Sequence, residues 1–162
     1  MRFLDHFPTE LIADKNETEM SVTLANGSVW QLWGTDYYDR LVGTNPVGVV
    51  YSEYALQDPR ARQLLQPALR ENGGWELIIG TLRGRNHAWK LLQQVKDNPA
   101  WYSALLTVDD TRRDGPGESG APVISAADIA ADRRDGMDED LIQQEYFMNV
   151  EVGIVGAYQC PR

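Results

Sequence analysis

One stretch decides the fold of this 162-residue chain, "NPVGVVYSEYALQDP" at residues 45–59. Its apolar run at 47–51 does not alternate with polar residues, which predicts a strand buried on both faces, as in a parallel sheet. The run ends at Ser52 and at a single acidic residue, Glu53. Pro59 then opens a predicted helix, because a proline in the first helical turn sacrifices no hydrogen bond.

The chain continues outward from this stretch with regular alternation of strand and helix. Five successive elements in the order strand, helix, strand, helix, strand are typical of an α/β fold with a parallel sheet and crossover helices. Glycines and an asparagine separate the second strand from the helix before it. The predicted elements after the first strand are a helix at 59–71, a strand at 75–81, a helix at 86–97 and a strand at 101–108.

Upstream of the central stretch, residues 18–34 predict a β-hairpin. Apolar residues alternate on one face of its first strand, Asn26 and Gly27 supply a tight turn, and the apolar run 29–33 returns. Residues 1–17 are polar and predict no clear element. A short helical turn and a loop connect the hairpin to the central strand. The alternating residues are Met20, Val22 and Leu24.

Downstream, the composition changes at residue 109. The segment 109–124 is charged and rich in glycine and proline, which predicts a linker. A helical segment, 125–162, follows it. Ser125 and Asp128 form a predicted capping box for a helix that reaches about residue 134. Asp138 caps a further helix, and the residues expected to staple that helix are Met137 and Ile142.

Composition excludes several classes of protein. The net charge of −9 repels nucleic acid, so contact with DNA would need a local basic patch. A single cysteine, Cys160, cannot form an internal disulfide, and no apolar run is long enough for a membrane helix. These features, with no recognisable signal peptide, favour a reducing cytoplasm. The candidate basic residues are Arg83, Arg85, His87 and Lys90, with the pair Arg112 and Arg113.

The end of the central strand carries a pattern used in phosphate transfer. Ligands of open α/β folds bind at the carboxyl ends of the strands, where an Asp holds Mg²⁺ and an adjacent Glu activates the attacking water. Glu53 takes the position of the base, while Ser52 stands where the Asp would be and can reach a metal only through a bound water. The alternative is that Glu53 is a solvated residue just past a strand.

The next strand ends in "IIGTLRGRNH" at 78–87, which offers a hydroxyl and cations. Thr81 or Arg83 there could sense a γ-phosphate. The alternative is a plain turn in which Gly84 gives the backbone its freedom and Asn86 caps the following helix. His87, alone in the first turn of an amphipathic helix, predicts a surface or packing role.

Two further kinds of site find little support. The acids Asp109, Asp110 and Asp114 lie together in one loop, whereas a two-metal centre needs acids from separate elements, so a solvated loop is favoured. No glycine-rich loop is followed by lysine in the manner of a phosphate-binding P-loop. The chain therefore lacks the element that would grip the β- and γ-phosphates.

Four stretches together resemble the large terminase subunit of tailed bacteriophages, the viral DNA-packaging ATPase. They span most of residues 19–150. The second resembles a Walker B strand with Ser-Glu in place of Asp-Glu, and the third resembles the coupling motif. These two together are specific, whereas each alone would be weak. The four are "NGSVWQLWGTDYYDRLVGTNP", "VGVVYSEYALQDP", "ENGGWELIIGTLRGRNHAWKL" and "DEDLIQQEYF".

The resemblance implies roles for named residues. Glu53 would be the catalytic carboxylate of ATP hydrolysis, and Ser52 would stand on the Mg²⁺ side. Gly80 and Thr81 would end the coupling strand, with Arg83 beside them. ATP and Mg²⁺ would be cofactors of the intact protein, and none is expected for this chain alone.

The resemblance also implies an organisation and a setting. The fold would be part of a P-loop NTPase sheet. Residues 1–108 would form the C-terminal half of the ATPase domain, and 125–162 would lead toward a nuclease domain. The chain would therefore be truncated at both ends and inactive alone. Implied partners are double-stranded viral DNA, the small terminase subunit, the portal protein and further copies in a homo-oligomeric motor, without membrane, in the bacterial cytoplasm. The alternative is a non-enzymatic prophage remnant or protein-interaction module.

Overall fold

A computed structural model describes residues 7–113 and 120–152 of the chain. Within those ranges the fold is mixed α/β, as the sequence predicts, with four α-helices, small antiparallel sheets and one two-stranded parallel sheet. No helix in the same ranges is long and apolar enough to cross a bilayer. The chain divides into two units, Met1–Gly43 and Thr44–Arg162, so the predicted boundaries of the linker 109–124 fall inside the second unit.

The first unit contains an antiparallel sheet of β1 (Ile12–Asn16), β2 (Ser21–Leu24) and β3 (Val29–Gln31). The hairpin β2–β3 confirms the prediction: Gly27 has a φ of +83°, and Val22 is the buried residue of β2. Met20 lies outside the strand at a φ of +50° and is exposed, so it does not share the face of Val22. A 3₁₀ turn (Thr35–Leu41) follows the sheet, as expected.

β1 was not predicted, and the prediction of no clear element at 1–17 is wrong for residues 12–16. β1 pairs with β2 and with no other strand of the described residues, and four of its five residues are exposed. An exposed edge strand needs no alternation of apolar residues, so its sequence carries little signal.

The second unit begins with the strand–helix–strand that the central stretch predicts. β4 (Gly48–Ser52) pairs in parallel with β5 (Trp75–Ile79), in a register from Gly48 opposite Trp75 to Ser52 opposite Ile79. Between them lies α1 (Pro59–Glu71), whose first turn is capped by the Asp58 carboxylate accepting from the Arg60 amide at 2.9 Å. The residues of α1 that are buried are Ala61, Leu65 and Leu69.

Burial of both sheet faces is a prediction that the structure contradicts. Exposed and half-buried residues alternate along β5, and Val50 of β4 is 43% exposed, whereas its neighbour Tyr51 is buried. Glu76 of β5 is paired with Arg62 of α1, so α1 covers the face that carries Glu76. The opposite face has no comparable cover among the described residues. The prediction failed because the apolar composition of a strand does not specify how many of its faces are covered.

The helix after β5 is confirmed, but the third predicted strand is not. α2 (His87–Val95) begins after Asn86, as expected. The predicted strand at 101–108 forms no ladder: residues 101–107 are irregular, and a 3₁₀ turn (Val108–Asp110) follows. The apolar run predicted a strand because its residues favour extended backbone, yet a strand also requires a bonded neighbour, and β5 is not bonded to this run.

The C-terminal part carries two short helices on a small core. α3 (Ala126–Arg134) begins at the Ser125–Asp128 capping box, and α4 (Glu139–Phe147) begins at Asp138, both as predicted. The core of this part is a cluster of Val108, Ile129 and Ile142. Met137 packs against the cluster, which confirms the predicted contact before α4.

The predicted linker contains some regular structure. The strands β6 (Arg112–Arg113) and β7 (Ala121–Pro122) form a two-residue antiparallel pair across it. Residues 114–119, in the middle of the linker, lie outside the described residues. The role of 109–124 as a linker stays a prediction.

Candidate functional site

The carboxyl ends of β4 and β5 come together, because the strands are parallel and in register. A Cβ atom placed on Gly80 would lie 2.8 Å from the Cα of Glu53 and 3.1 Å from the amide nitrogen of Tyr54. Only a residue without a side chain fits there, and Gly80 also has a φ of +146°. The structure thus brings two of the predicted site residues, Glu53 and Gly80, into backbone contact.

Glu53 stands at a sharp turn of the backbone. Its φ of 55° and ψ of 46° place it in the left-handed region, which a residue with a side chain rarely adopts. The turn leads directly into a 3₁₀ helix (Tyr54–Leu56), and the Leu56 amide donates to the Glu53 carbonyl at 2.8 Å. The side chain is left exposed at the end of the sheet. A strained conformation at a strand end is typical of functional positions.

The hydroxyl residues predicted for the site flank this turn. Ser52 is exposed, and its carbonyl accepts a hydrogen bond from the Gln57 side-chain amide at 2.6 Å. Thr81 is half-buried and follows Gly80. Both residues therefore lie next to the contact between Glu53 and Gly80 along the chain, and Ser52 leaves its hydroxyl at the surface.

Arg83 is engaged away from the strand ends. Its guanidinium lies 3.4 Å from the carboxylate of Glu145 in α4, and both side chains are about 30% exposed. Arg85 forms a second ion pair, with Glu151. The predicted basic patch is therefore partly neutralised by acids that lie far away in sequence. A role for Arg83 at a phosphate would require it to leave Glu145.

Two residues that the sequence assigned to capping and packing hold the turn after Glu53. The side-chain amide of Asn86 donates to the Ala55 carbonyl at 3.2 Å, while its oxygen caps α2 as predicted. His87 donates from Nε2 to the Tyr54 carbonyl at 2.7 Å, and its ring meets the Tyr54 ring edge-on at 4.8 Å. Sequence reasoning missed this clamp, because its partners are 31 and 33 residues apart and no local pattern links them.

A partly buried ion pair lies beneath β5 and was also missed. Arg62 of α1 binds Glu76 through two hydrogen bonds, one of them 2.8 Å long, and packs over the Trp101 ring. The two charged side chains are only 12% and 15% exposed. Nearby, burial, with a smaller contribution from Glu76, raises the pKa of Tyr51 above its ordinary value. Both charges are matched, so the pair is structural in character.

The acidic loop offers no metal site in the described part of the chain. Asp110 accepts hydrogen bonds from the Thr107 amide and hydroxyl at 2.8 and 2.9 Å, which lowers its pKa and commits it to capping a turn. Asp114 lies outside the described residues. No group of three or more His, Cys, Asp or Glu side chains with metal-binding geometry occurs in residues 7–113 and 120–152.

The candidate site is therefore a turn at the carboxyl end of a parallel strand pair, with one exposed carboxylate and a clamp built from the following helix. Comparison of the chain with known protein families, with curated protein sequences and with solved structures found no match in any of the three.

Proposed function

We propose that this chain is part of the ATPase domain of a tailed-phage large terminase subunit, the motor that moves viral DNA into the capsid. The observation that carries the proposal is the contact of Gly80 with the backbone of Glu53 at the ends of two parallel strands. In this proposal the first strand is a Walker B strand and the second ends in the coupling motif. Both assignments, the Walker B strand and the coupling motif, come from the resemblance of the sequence to that family.

Glu53 has the placement that a general base needs. Its carboxylate is exposed at the edge where ligands of α/β sheets bind, so it can accept a proton from a water molecule that attacks a phosphate. Ser52, next to it, can donate its hydroxyl to a metal-bound water but brings no charge. Mg²⁺, when bound, would neutralise phosphate charge. Glu53 and Ser52 thus fit the carboxylate and hydroxyl positions of such a site, whereas the sequence contains no loop that would bind the phosphates.

The clamp after Glu53 supports a coupling role. Asn86 and His87 tie the turn that follows Glu53 to the first turn of α2, and Arg83, in the loop between β5 and α2, pairs with Glu145 of α4. A shift of the backbone at Glu53 would therefore be transmitted to α2 and, through the loop that carries Arg83, to α4. Such a connection is what a link between hydrolysis and movement requires, because coupling needs contiguous contacts with two arrangements.

A first experiment is to sequence the DNA on both sides of this reading frame. The proposal predicts a glycine-rich phosphate-binding motif upstream, in frame or one frameshift away, and spaced acidic strands downstream. If neither is found, the catalytic role of Glu53 should be abandoned.

A second experiment measures phosphate release. The purified 162-residue chain is expected to release none above background from ATP and Mg²⁺. Release that disappears in Glu53→Gln would contradict the expectation that the chain alone is inactive. In the protein joined to its upstream segment, Glu53→Gln should lower kcat by about 10²- to 10⁴-fold, the usual contribution of a general base.

Glu71→Gln is the matched control for that experiment. Glu71 is an exposed glutamate in the last turn of α1, away from the strand ends. The control should keep the kcat of the joined protein within twofold or so, because an exposed side chain far from the reacting groups contributes little to catalysis. Equal losses in both variants would indicate a general effect of the charge.

A second candidate function, a protein-interaction module, is favoured by a different observation. An apolar groove runs beside β5 and is lined by half-buried and exposed apolar residues, which is typical of binding surfaces. This candidate requires no catalytic carboxylate.

A further inference from the structure

The groove beside β5 is a cavity of about 700 Å³ in the second unit. One wall is the continuous run from Gly74 to Leu82, and the residues that line the cavity include none of β4. The groove therefore lies along the outer edge of β5, on the side away from β4. The other walls are the apolar stripe of α2 and the irregular segment 100–105, and the stripe consists of Ala88, Leu91, Leu92 and Val95.

Among residues 7–113 and 120–152, no backbone partner bonds to this edge. Trp75 donates its amide to the Val47 carbonyl at 3.0 Å, so it bonds toward β4. In a parallel pair alternate residues bond to the same neighbour, which turns the N–H and C=O groups of Glu76 and Ile78 toward the groove. In the part of the chain that the structure describes, β5 has β4 as its one strand neighbour. Unpaired backbone groups in a row are a template for another strand.

The side chains around the edge specify the character of the missing neighbour. Leu77, Ile79 and Leu105 are each 48% exposed, and Tyr102 is 90% exposed. Glu76 is the one lining residue with a carboxylate, and Arg62 already binds it. An occupant with charged side chains would be desolvated here without a partner, so the groove fits an uncharged, apolar segment.

We propose that this groove accepts one extended, uncharged strand of a separate polypeptide, which pairs with the outer edge of β5 through Glu76 and Ile78. The wall of nine residues from Gly74 to Leu82 would accommodate about 30 Å of extended chain at about 3.3 Å per residue. Backbone hydrogen bonds would supply affinity, and the apolar stripe of α2 would select the side chains. The inference does not depend on ATP hydrolysis and goes beyond the proposed motor function.

A second copy of this chain is the less suitable occupant. The β5 edge shares its groove with α2 and the segment 100–105, so a second β5 edge would have to bring its own copies of these elements into the same space. The net charge of −9 also opposes self-association. A single strand from another polypeptide needs no more width than its own backbone and side chains, so it is the simpler occupant of the groove.

The test uses the full chain and a synthetic probe, an acetylated and amidated heptapeptide of alternating valine and threonine. The control peptide has the same sequence with its central amides N-methylated, so that neither edge of it can pair. Binding should be at least about tenfold tighter for the unmodified peptide, since each lost backbone hydrogen bond costs about 1 kcal/mol. Amide hydrogen exchange at Glu76 and Ile78 should slow on binding, while Trp75 and Leu77 should be unaffected.

A pair of variants locates the binding. Ala104→Lys places a cation in the wall of the groove and should abolish peptide binding, because the bound peptide would remove water from an unpaired charge. Ala127→Lys, also at an exposed alanine but in α3 and not in the lining of the groove, should bind the peptide as the parent chain does. The melting temperature of each variant without peptide shows whether it is folded.

Several results would overturn the proposal. Equal binding of the two peptides would mean an apolar pocket without strand pairing, and no binding would mean that the edge accepts no such strand. Slow exchange at Glu76 and Ile78 in the free monomer would mean that the chain itself covers the edge. A dimer in light scattering, with the same protection, would assign the groove to a second copy.

Discussion

Gly80 follows β5 directly and lies against the backbone of Glu53 at the carboxyl end of β4. A methyl group there would meet the Glu53 Cα at 2.8 Å, against backbone that cannot rotate out of the way. The positive φ of Gly80 adds a second penalty for any side chain. Gly80 therefore fixes the position of Glu53, whatever chemistry the carboxylate performs.

Gly80→Ala should destabilise the chain by about 1–3 kcal/mol, the usual cost of a strained backbone position. Urea unfolding measures the free-energy change. Gly136→Ala is the control, because Gly136 also has a positive φ, of +95°, but has open space where its Cβ would lie. The control should lose less than Gly80→Ala. Equal losses would show that the contact with Glu53 has no cost and that φ alone matters.

At the scale of elements, the C-terminal helices are held by one small apolar cluster. Ile142 of α4 has no exposed surface, and it packs with Val108 and Ile129. The two helices are nine residues each, too short to be stable without such packing.

Ile142→Ala should therefore cost about 2–5 kcal/mol, the range for truncating a buried isoleucine. The free energy of unfolding, from urea titration followed by circular dichroism, is the measurement. Val123→Ala is the control at an exposed apolar residue, next in sequence to Ile124, which packs against the cluster, and it should change stability far less. A small loss for Ile142→Ala would mean that the cluster contributes little to folding.

The start of α4 should make stability depend on pH. Arg133 and Gln143 donate hydrogen bonds to the Glu139 carboxylate, and they lower its pKa from 4.5 to about 2. A carboxyl whose pKa is lower in the folded state stabilises the fold above the unfolded pKa. That contribution is complete above about pH 4.5 and is lost as the pH falls toward 2.

Melting temperatures measured across that window test the contribution. Glu139→Gln should have a lower Tm than the parent chain at neutral pH and should converge with it on acidification. Asp140→Asn, in the same turn, is the control and should keep the parent's pH dependence in this window. If Glu139→Gln and the parent fell in parallel, the ion pair with Arg133 would have no part in the acid response.

At the scale of the whole molecule, charge governs what the chain can approach. The net charge is −9, and the cations Arg83 and Arg85 are already paired with Glu145 and Glu151. Such a surface attracts few phosphates.

The chain alone should therefore not bind double-stranded DNA at about 0.15 M salt, with any dissociation constant weaker than about 10⁻⁴ M. Fluorescence anisotropy with a labelled duplex measures this. The double variant Glu145→Gln with Glu151→Gln frees both arginines, so it should bind DNA at least as well as the parent. Tight, salt-sensitive binding by the parent chain would show that a basic surface exists that these ion pairs do not neutralise.

Local patterns predicted much of the fold and part of the site. The bounds of α1, the hairpin β2–β3 and the caps of α3 and α4 were all readable, because each depends on residues within a few positions of one another. The strand end at Glu53 was readable for the same reason. The clamp by Asn86 and His87 was not, since its partners are about 30 residues away.

The sequence by itself determined where the four helices and the strands β2 to β5 begin, because propensity, capping and periodicity act over a few residues. The tertiary structure alone decided which strands pair and which faces are covered. The run at 101–108 has the composition of a strand but lies across a groove from β5, and β4 and β5 have one covered face instead of two. Pairing and burial depend on neighbours distant in the chain. The apolar composition of a segment indicates that it will be buried but does not specify which elements pack against it.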